Sequence, residues 1–598
     1  MGIQYLDNEK LYYSFVSGAQ EVIRNKAILN EINVFPVADG DTGSNLASTM
    51  NAIIQEAQIL PSVKETMSSI ADAALMGARG NSGIIIAEYI NGIFMSLRDE
   101  EQITMSSFAE TVNLAYPHAY HAIENPVEGT IITVIRDWAE AINHHKDLVQ
   151  DFSDLLSKAM EVAAISLKET TSKLKVLEHS KVVDSGAKGF VYFIQGFAEF
   201  LKTGKLLNVL PLSSEEITFT EPLNHDQKEI LHRYCTEALL EVDSLSGEQL
   251  KQELMAFGDS LIIAGNDHRT KIHIHSNTPE KVFQILRKKG KILQQKADDM
   301  IRQNEDVYGR KYEIALVTDS IADLPKEIID KYQIHMFPLN LVFDGTTYLD
   351  KVTITPEIFY PLLDESTEYP KSAQPNQKTL ELYLEALTAH YDKVIVITVA
   401  SQQSGTNSVF KKASEKFIQN GKMIKVIDSK QNSGAEGLLV MKAAELIHEG
   451  LGFEDVIERI EKLRDRAKIL VSVNTLKYMV RSGRLGKFGG IAGRMLNLKP
   501  VISIDEKGKG KIEGKAFSEK TNTRIIMEIV RKTHAEKGIT RYAIVHANDL
   551  NKALDYKKKC MEILGKEPEY IMNISPIMGM SAGIGCVAVS YIWEEDLK

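Results

Sequence analysis

The hydrophobic pattern of the chain changes twice along its length, and these changes constrain the fold more than any other feature of the sequence. Up to about residue 206, apolar residues recur at spacings of three and four, as in Glu9–Leu29 and Ser82–Leu97, which is typical of amphipathic helices. From Lys311 onward, short apolar runs alternate with helical stretches such as Glu454–Arg464, which indicates an α/β domain with a largely buried sheet. The 598 residues are also about four times the common size of one domain, so we expect several domains.

The pattern predicts a multidomain protein with three modules in sequence. We predict an all-helical module over residues 1–207, a small α+β module over 208–310 and an α/β module over 311–598. In the middle module, Lys271–Ile274 resembles a strand, whereas the basic stretch Glu280–Gln303 is predicted to be helical.

Composition and charge exclude several classes of protein. A net charge of −11 leaves no basic excess to offset phosphate repulsion, so coating of nucleic acid is excluded as the main role. Three cysteines are too few for a disulfide framework, which fits a reducing cytosol. The first residues lack the pattern of a signal peptide, and no apolar run approaches the roughly 18 residues that span a bilayer. We therefore expect a soluble, cytoplasmic protein.

The segment Asn33–Met50 carries the most informative motif of the first module. Asp39 and Asp41 lie two apart in a glycine-rich loop, and such a pair can bind Mg²⁺, which takes one or two carboxylates together with substrate phosphates. The residues that open the next predicted helix are Thr42, Gly43, Ser44 and Asn45. Backbone amides at a helix start suit a phosphate oxygen. The alternative is a simple turn and N-cap, because Asp and Gly favour turns.

Three further glycine-rich loops precede predicted helices. They are Gly77–Gly83, with a helix predicted from Ser82, Asn125–Ile131, with a helix from Thr130, and Val182–Phe190. Each loop alone is also compatible with an ordinary connection between helices. Four such loops, three of them with carboxylates, together indicate a common nucleotide site.

Taken together, the four loops resemble the DhaL-type (DAK2) kinase domain of dihydroxyacetone kinase and bacterial fatty acid kinase, over roughly Tyr5–Leu206. The resemblance implies a helical barrel that binds ATP and Mg²⁺ in the loops at one end. It implies that Asp39 and Asp41 are catalytic and hold the metal, with Asn33 near the place of a further ligand. The nucleotide-binding residues that it implies are Thr42, Gly43, Ser44, Asn45, Asn81, Ser82, Gly83, Thr130, Asp184 and Gly186.

In the middle module, His273 and His275 lie two apart on a predicted strand. Both imidazoles should therefore point to one face of the sheet, while Ile272 and Ile274 point to the core. With Cys235 they form a plausible zinc set whose fourth position is left to water or another ligand. The alternative is that the histidines are half-buried polar residues on an edge strand. The segment also resembles the middle domain of fatty acid kinase, which implies that these three residues bind zinc.

In the third module, Ser404, Gly405 and Thr406 stand at a predicted helix start, where a hydroxyl and backbone amides suit an anionic head group. The alternative for any one such loop is an ordinary N-cap. Over roughly Lys311–Ile592 the loops resemble the DegV family of fatty acid-binding proteins, and the segment Met479–Asp505 strengthens the match.

The DegV resemblance implies an apolar tunnel for one acyl chain, with the carboxylate held by Ser372 and Ser404. Ser372 stands where the family often has Thr. Ser581 stands where the family commonly has a histidine near the carboxylate. A serine can hydrogen-bond a carboxylate, but it cannot carry a positive charge.

The three resemblances together imply a fused fatty acid kinase that transfers the γ-phosphoryl group of ATP to a fatty acid carboxylate, giving acyl phosphate and ADP. A carboxylate is already a nucleophile, so catalysis rests on metals, positioning and charge neutralisation. Arg484, and Arg481 near it, are candidates to offset the charge of the two anions. Their alternative interpretation as solvated surface charges is at least as strong.

The expected cofactors are ATP and Mg²⁺, with zinc as a further metal. The expected partners are a fatty acid, a downstream acyltransferase, a second copy in a homodimer and, transiently, a membrane surface, but no nucleic acid. Two other functions remain open. One is a dihydroxyacetone-type sugar kinase with an unrelated ligand-binding tail, and the other is a nucleotide- and lipid-binding sensor without catalysis.

Overall fold

The structure of the protein is a computed structural model. It describes residues 2–36, 40–206, 230–243, 245–265, 268–365, 368–483 and 498–593. Two of the predicted catalytic residues, Asp39 and Arg484, lie outside the described residues. The chain divides into two compact units, Met1–Asn304 and Glu305–Lys598.

The first unit begins with a helical region. Its described helices are α1 (Asn8–Arg24), α2 (Lys26–Glu31), α3 (Thr42–Glu56), α4 (Val63–Gly77), α5 (Gly80–Ser96), α6 (Met105–Ala122), α7 (Ile131–His145), α8 (Phe152–Lys173), α9 (Lys175–Ser180) and α10 (Ser185–Thr203). The short strands β1 (Tyr5–Leu6) and β2 (Ile103–Thr104) pair antiparallel. The helices enclose one apolar core, in which Trp138 contacts Phe108 and Phe190 edge-on. The predicted helical module is confirmed.

The second part of this unit is a small α+β region. Its elements are β3 (Tyr234–Glu241), α11 (Gly247–Leu254), β4 (Gly258–Gly265), β5 (Arg269–Ser276), α12 (Pro279–Leu286), β6 (Lys291–Asp299) and α13 (Met300–Tyr308). The described strands form an antiparallel sheet in the order β4-β5-β3-β6, so that the chain follows a βαββαβ path. One face of the sheet buries Ile272 and Ile274 against α11 and α12. On the other face, Ile262 and Ala264 of β4 join the core of the helical region.

The predicted helix over Glu280–Gln303 is wrong, because strand β6 lies in the middle of that stretch. Lys and Gln residues make this strand resemble a helix, since both have a high helix propensity. Among the described strands, β6 is the outer strand of its sheet and pairs only with β3, so it lacks the regular apolar alternation of a central strand. Pairing with β3 decides its conformation.

The second unit alternates strands and helices, as the sequence predicts. Its described strands are β7 (Ile314–Asp319), β8 (His335–Phe337), β9 (Asn340–Phe343), β10 (Thr346–Leu349), β11 (Lys371–Ala373), β12 (Lys393–Thr398), β13 (Met423–Asp428), β14 (Ala467–Ser472), β15 (Val501–Ile504), β16 (Gly510–Gly514), β17 (Ile539–His546), β18 (Ile571–Asn573) and β19 (Val587–Trp593). Its described helices are α14 (Lys326–Lys331), α15 (Pro356–Glu365), α16 (Gln377–Thr388), α17 (Thr406–Gln419), α18 (Ser433–His448), α19 (Phe453–Arg464), α20 (Lys477–Arg481), α21 (Glu519–Lys537), α22 (Leu550–Leu564) and α23 (Pro576–Ala582).

These strands form three sheets within the described residues. A parallel sheet has the order β13-β12-β7-β8, a mixed sheet the order β16-β15-β14-β19-β17-β18, and a small antiparallel sheet the order β10-β9-β11. In the parallel sheet the strand order reverses between β7 and β12, and ligands of α/β proteins bind at such a point, beyond the carboxyl ends of the strands. The α/β fold of this module is confirmed.

Asp319 holds together the two loops that leave this switch point. Its carboxylate is fully buried and accepts hydrogen bonds from the backbone N–H groups of Val399 (2.9 Å) and Ile321 (3.0 Å). Burial raises the pKa of Asp319 to about 6. The loop after β7 is thereby fixed against the loop after β12.

Among the described residues, no helix combines the length and the apolar character that are needed to cross a lipid bilayer.

In the first unit, α5 is fastened to the sheet of the α+β region. Glu88 on α5 accepts a hydrogen bond from the backbone N–H of Gly265 (2.9 Å), and Asn91 Nδ2 donates to the carbonyl of the same residue (2.9 Å). The N–H of Glu124 donates to the carbonyl of Leu261 at 3.0 Å. Burial raises the pKa of Glu88 to about 8.

We predict that Glu88→Gln makes the protein less sensitive to alkaline pH. The folded-state pKa of about 8 lies above the ordinary value of 4.5, so stability contributed by protonated Glu88 is present below pH 4.5 and is lost as the pH rises toward 8. A glutamine stays neutral and still accepts from Gly265. Melting temperatures measured between about pH 6 and about pH 8 should fall more for the wild type than for Glu88→Gln. Glu110→Gln, which changes a half-exposed carboxylate on α6, serves as the control, and parallel profiles for wild type and Glu88→Gln would contradict the prediction.

Candidate functional site

The N-terminal turns of α3, α5 and α10 meet in the first unit. A Cβ placed on Gly80 would lie 2.4 Å from Asn45 Nδ2, and one placed on Gly186 would lie 2.5 Å from Ser82 Oγ. These approaches require glycine, and Gly80 also has a φ of +58°, which other residues rarely adopt. The structure therefore brings together three of the four loops, with their helix dipoles converging on one region.

The first turn of α3 is held by two asparagines. Thr42 Oγ1 donates to Asn33 Oδ1 at 2.6 Å, and the N–H of Ser44 donates to Asn30 Oδ1 at 3.0 Å. Asp41 occupies the N-cap position, but its carboxylate makes no capping hydrogen bond to α3. Helix α3 thus begins at Thr42 as predicted, and the oxygen of Asn33 that was expected near a metal is engaged with Thr42.

In the other loops, the sequence pattern locates the helix starts within two residues. Helix α5 begins at Gly80, two residues before the predicted start at Ser82. Thr130 is the N-cap of α7, and its hydroxyl donates to the carbonyl of Val127 at 2.7 Å. Asp184 is the N-cap of α10 and accepts from the N–H of Ala187 at 2.8 Å, while burial raises its pKa to about 6.

Asn81 and Gly83 lie in the first turn of α5. Asn81 Oδ1 is buried and has no hydrogen-bond partner among the described residues. An unsatisfied buried amide oxygen is costly, so a ligand donor at this place would be favoured. A Cβ on Gly83 would lie 2.7 Å from Thr49 Oγ1, so this glycine permits close packing of α5 on α3.

The second cluster lies on one face of the α+β sheet. Cys235 on β3 pairs directly with His275 on β5, and His273 lies two residues away on the same face. The ligand atoms of the three residues lie within 4.8 Å of one another. Strand β5 is an internal strand, and His273 is only 1% exposed, so the alternative interpretation as an edge strand does not hold.

The donors of this cluster fit a zinc ion. His273 Nε2 is buried without a partner among the described residues. Burial and the neighbouring His273 lower the pKa of His275 to about 3, which keeps a neutral imidazole available for a metal. Burial raises the pKa of the Cys235 thiol, and a bound zinc ion would reverse this shift by stabilising the thiolate.

Residues that the sequence analysis did not single out surround this cluster. Glu237 on β3 accepts a hydrogen bond from the backbone N–H of Gly80 at 2.6 Å, and Lys271 Nζ lies 3.6 Å from its other oxygen. Glu237 lies two residues from Cys235, and Lys271 lies two residues from His273. Because alternate residues of a strand share a face, this spacing indicates that both side chains lie on the face of the Cys–His cluster.

In the second unit, a cavity of about 470 Å³ lies at the switch point of the parallel sheet. One wall is a row of aliphatic side chains from the mixed sheet, in which Ile502, Val471, Ala588 and Val545 are cross-strand neighbours. The polar side chains come mostly from loops and helix starts. They are Ser372, Gln374, Ser401, Gln402, Gln403, Ser404, Asn432, Ser433, Ser503 and Ser581.

Four of the five predicted substrate-binding residues line this cavity, namely Ser372, Ser404, Gly405 and Ser581. Thr406 is buried and lies outside the lining; its hydroxyl is 2.8 Å from Ser404 Oγ and fixes that side chain. Arg481, at the end of α20, is exposed and lies over the ring of Tyr369, with 5.4 Å between the guanidinium carbon and the ring centroid.

Asn432 and Ser433 also line the cavity, although the sequence assigned neither residue a role. Asn432 Nδ2 donates to Gln403 Oε1 at 2.9 Å, whereas its Oδ1 is buried without a partner among the described residues. Ser433 has a φ of +51°, and its hydroxyl donates to Asp323 at 2.5 Å. A non-glycine residue with positive φ at a ligand cavity was not predictable from its type.

Three family models match separate stretches of the chain. The DAK2 domain matches residues 36–199, the FakA-like middle domain of fatty acid kinase residues 232–307, and the DegV family of uncharacterised proteins residues 313–594. Among curated proteins, uncharacterised proteins of Staphylococcus epidermidis and Staphylococcus aureus are each 28% identical, covering 69% of this chain and 78% of theirs.

Among solved structures, DegV of Bacillus subtilis, described as a fatty acid-binding protein, is 28% identical. It covers 48% of this chain and 100% of its own, with a TM-score of 0.44. A fatty acid-binding DegV-family protein of Thermus thermophilus is 26% identical, covers 47% of this chain and 100% of its own, and has a TM-score of 0.44.

Models of the DAK2 domain and of the DegV family thus match successive stretches of one chain. With the FakA-like middle domain between them, the three domains in one chain match the architecture of the fatty acid kinase family. The domain resemblances that the glycine-rich loops and the Cys–His pattern indicated are confirmed by these three matches.

We predict that the purified protein contains about one zinc ion per chain and that the double variant His273→Ala/His275→Ala contains none. Two of the three donors are lost in this variant, and a lone thiol cannot retain the ion. Metal analysis after washing with a chelator measures the content. His144→Ala/His145→Ala removes two adjacent imidazoles at the end of α7 and should keep the zinc. Zinc retained in the first variant would contradict the assignment.

Proposed function

We propose that this protein is a fatty acid kinase that phosphorylates the carboxylate of a bound fatty acid with ATP. The observation that carries the proposal is the cavity of the second unit, where an aliphatic wall faces a set of hydroxyls, in a chain that also carries a DAK2 domain. The products are acyl phosphate and ADP. A carboxylate oxygen forms the new bond to the γ-phosphorus as the bond from phosphorus to the β–γ bridging oxygen breaks.

The cavity supports an acid with a long apolar chain as the acceptor. Its volume of about 470 Å³ falls within the range of ligand pockets. The row of Ile502, Val471 and Val545 offers an apolar surface to an acyl chain, and Ser404 and Ser581 offer hydroxyl donors to a carboxylate.

None of the described residues that line the cavity is Lys, Arg or His. Within this described lining, the carboxylate would therefore be oriented by neutral hydrogen-bond donors.

The convergence of the helix starts of α3, α5 and α10 supports ATP as the donor. Backbone amides at the starts of α3 and α5 would bind phosphate oxygens, and Asn81 Oδ1 would find a donor in the nucleotide. Asp41, together with Asp39, would hold Mg²⁺. The metal ion would neutralise charge on the β- and γ-phosphates.

A sensor that binds nucleotide and lipid without catalysis is the second candidate. Ser581 favours it, because a serine beside the head group supplies no charge to assist transfer. The two functions differ in one product, since only the kinase forms acyl phosphate.

We predict that Asp41→Asn weakens the binding of Mg²⁺ and nucleotide together. Asparagine keeps the size of the side chain but removes one negative charge from the proposed metal site, so the affinity for Mg·ADP should fall at least tenfold. Isothermal titration of the full-length protein measures it, with circular dichroism to verify helical content. Asp147→Asn, at an exposed position after α7, is the control. An unchanged affinity in Asp41→Asn would refute the metal assignment.

We predict that Ser404→Ala lowers the amount of fatty acid that the full-length protein binds. The change deletes one hydrogen bond to a charged group, worth roughly 1.5–3 kcal/mol, so affinity should fall by about ten- to a hundredfold. Ser408→Ala, at an exposed position on α17, is the matched control. Ligand extracted from each protein is quantified by mass spectrometry.

The same preparations, given Mg·ATP and fatty acid, should form acyl phosphate that hydroxylamine traps as a hydroxamate. Ser404→Ala should form less of it than the wild type and Ser408→Ala. Acid that binds without any hydroxamate would favour the sensor, and protein that binds no acid of any chain length would exclude both functions.

A further inference from the structure

The register of the α+β sheet places a row of ionisable side chains on the face that carries the Cys–His cluster. His273 on β5 lies opposite Glu237 on β3, and Glu237 lies opposite Lys296 on β6. One step along the strands, His275, Cys235 and Asp298 form a parallel row. Glu237 is therefore the direct neighbour of the candidate metal ligands on the same face of the sheet.

Glu237 bridges this sheet and the helical region of the same unit. Its Oε1 accepts the hydrogen bond from the Gly80 N–H (2.6 Å) and lies 3.6 Å from His273 Nδ1, while Lys271 Nζ is 3.6 Å from Oε2. The side chains of Glu237 and Lys271 are 2% and 5% exposed. A charge-assisted hydrogen bond in such a dry environment is strong and geometrically specific.

Gly80 transmits this contact to the proposed nucleotide site. It is the first residue of α5, and a Cβ at this position would meet Asn45 in the first turn of α3. Any displacement of Gly80 therefore moves the first turn of α5, which includes Asn81, relative to Asn45. Asn81 and Asn45 are both proposed to contact the nucleotide.

We propose that Glu237 is a positioning residue that couples metal binding at Cys235, His273 and His275 to nucleotide binding at α3 and α5. A metal ion on His273 fixes the imidazole against which Glu237 packs, and Glu237 in turn fixes the N-terminus of α5. The inference rests on the proposed nucleotide site and adds to it a part contributed by the α+β region.

Coupling between two sites is reciprocal, which gives a test on the unmodified protein. Mg·ADP affinity is measured on full-length protein with zinc bound and after zinc removal, and zinc affinity with and without Mg·ADP. We expect each ligand to strengthen the other by the same factor, about fivefold or more. Mg·ADP affinity that is the same with and without zinc would overturn the coupling and leave the proposed function intact. Absence of Mg·ADP binding in both forms would overturn the nucleotide site and the coupling together.

Variants at Glu237 test whether zinc acts on the nucleotide site through this residue or only by stabilising the fold. Glu237→Ala removes the acceptor of Gly80, and we expect its Mg·ADP affinity to fall about tenfold and the coupling factor to approach one while zinc remains bound. Glu237→Gln keeps an acceptor oxygen and should restore most of the nucleotide affinity. Glu241→Gln, at the exposed end of the same strand, should behave as the wild type.

The coupling factor is the ratio of the Mg·ADP affinities with and without zinc. If this ratio is the same in Glu237→Ala as in the wild type, Glu237 is only an interface residue and the proposal is overturned. If Glu237→Ala does not fold, the comparison of Glu237→Gln with the wild type and the linkage measurement on the wild type decide the question.

Discussion

The close approach of helix starts in the first unit is the constraint on which its proposed chemistry depends. Helices α3 and α5 can touch at Gly80 and Asn45, and α5 and α10 at Ser82 and Gly186, only where a glycine leaves out a side chain. The positive ends of three helix dipoles then lie close together, which is unfavourable unless negative charge is placed near them. The glycines thus permit an arrangement of helix starts that the phosphates of the proposed nucleotide would stabilise.

The same loops explain how far the sequence predicts this structure. Glycine clusters before apolar periodic segments predict helix starts well, because the backbone there accepts almost no other residue. The two histidines of β5 were predictable from their spacing of two, whereas their proximity to Cys235 depends on strand pairing. The spacing of Glu237 from Cys235 indicates a shared face, but its role was not predictable, because its partner Gly80 lies 157 residues away. Strand β6 was misread for a related reason, since pairing with β3 overrides the helical propensity of its Lys and Gln residues.

In the second unit, the sequence predicted the residues of the cavity better than their roles. Ser372 lies on β11, Ser404 in the loop before α17 and Ser581 in α23, and only the tertiary fold brings them to one cavity. Thr406 was expected to contact substrate directly, and instead its hydroxyl orients Ser404. Asn432 and Ser433 were passed over because their contribution depends on a positive φ and on the buried partner Asp323, which the sequence does not reveal.

The lack of a cation among the described lining residues raises the question of what would hold a fatty acid in this cavity. Removing a carboxylate from water costs several kcal/mol, and hydrogen bonds to a charged group return about 1.5–3 kcal/mol each. Two or three serine hydroxyls therefore roughly offset the cost without a net gain. Each methylene group buried against the aliphatic wall adds about 0.8 kcal/mol, so a chain of about ten methylenes supplies about 8 kcal/mol. The acyl chain would therefore provide most of the affinity, and the serines would set the orientation of the carboxylate.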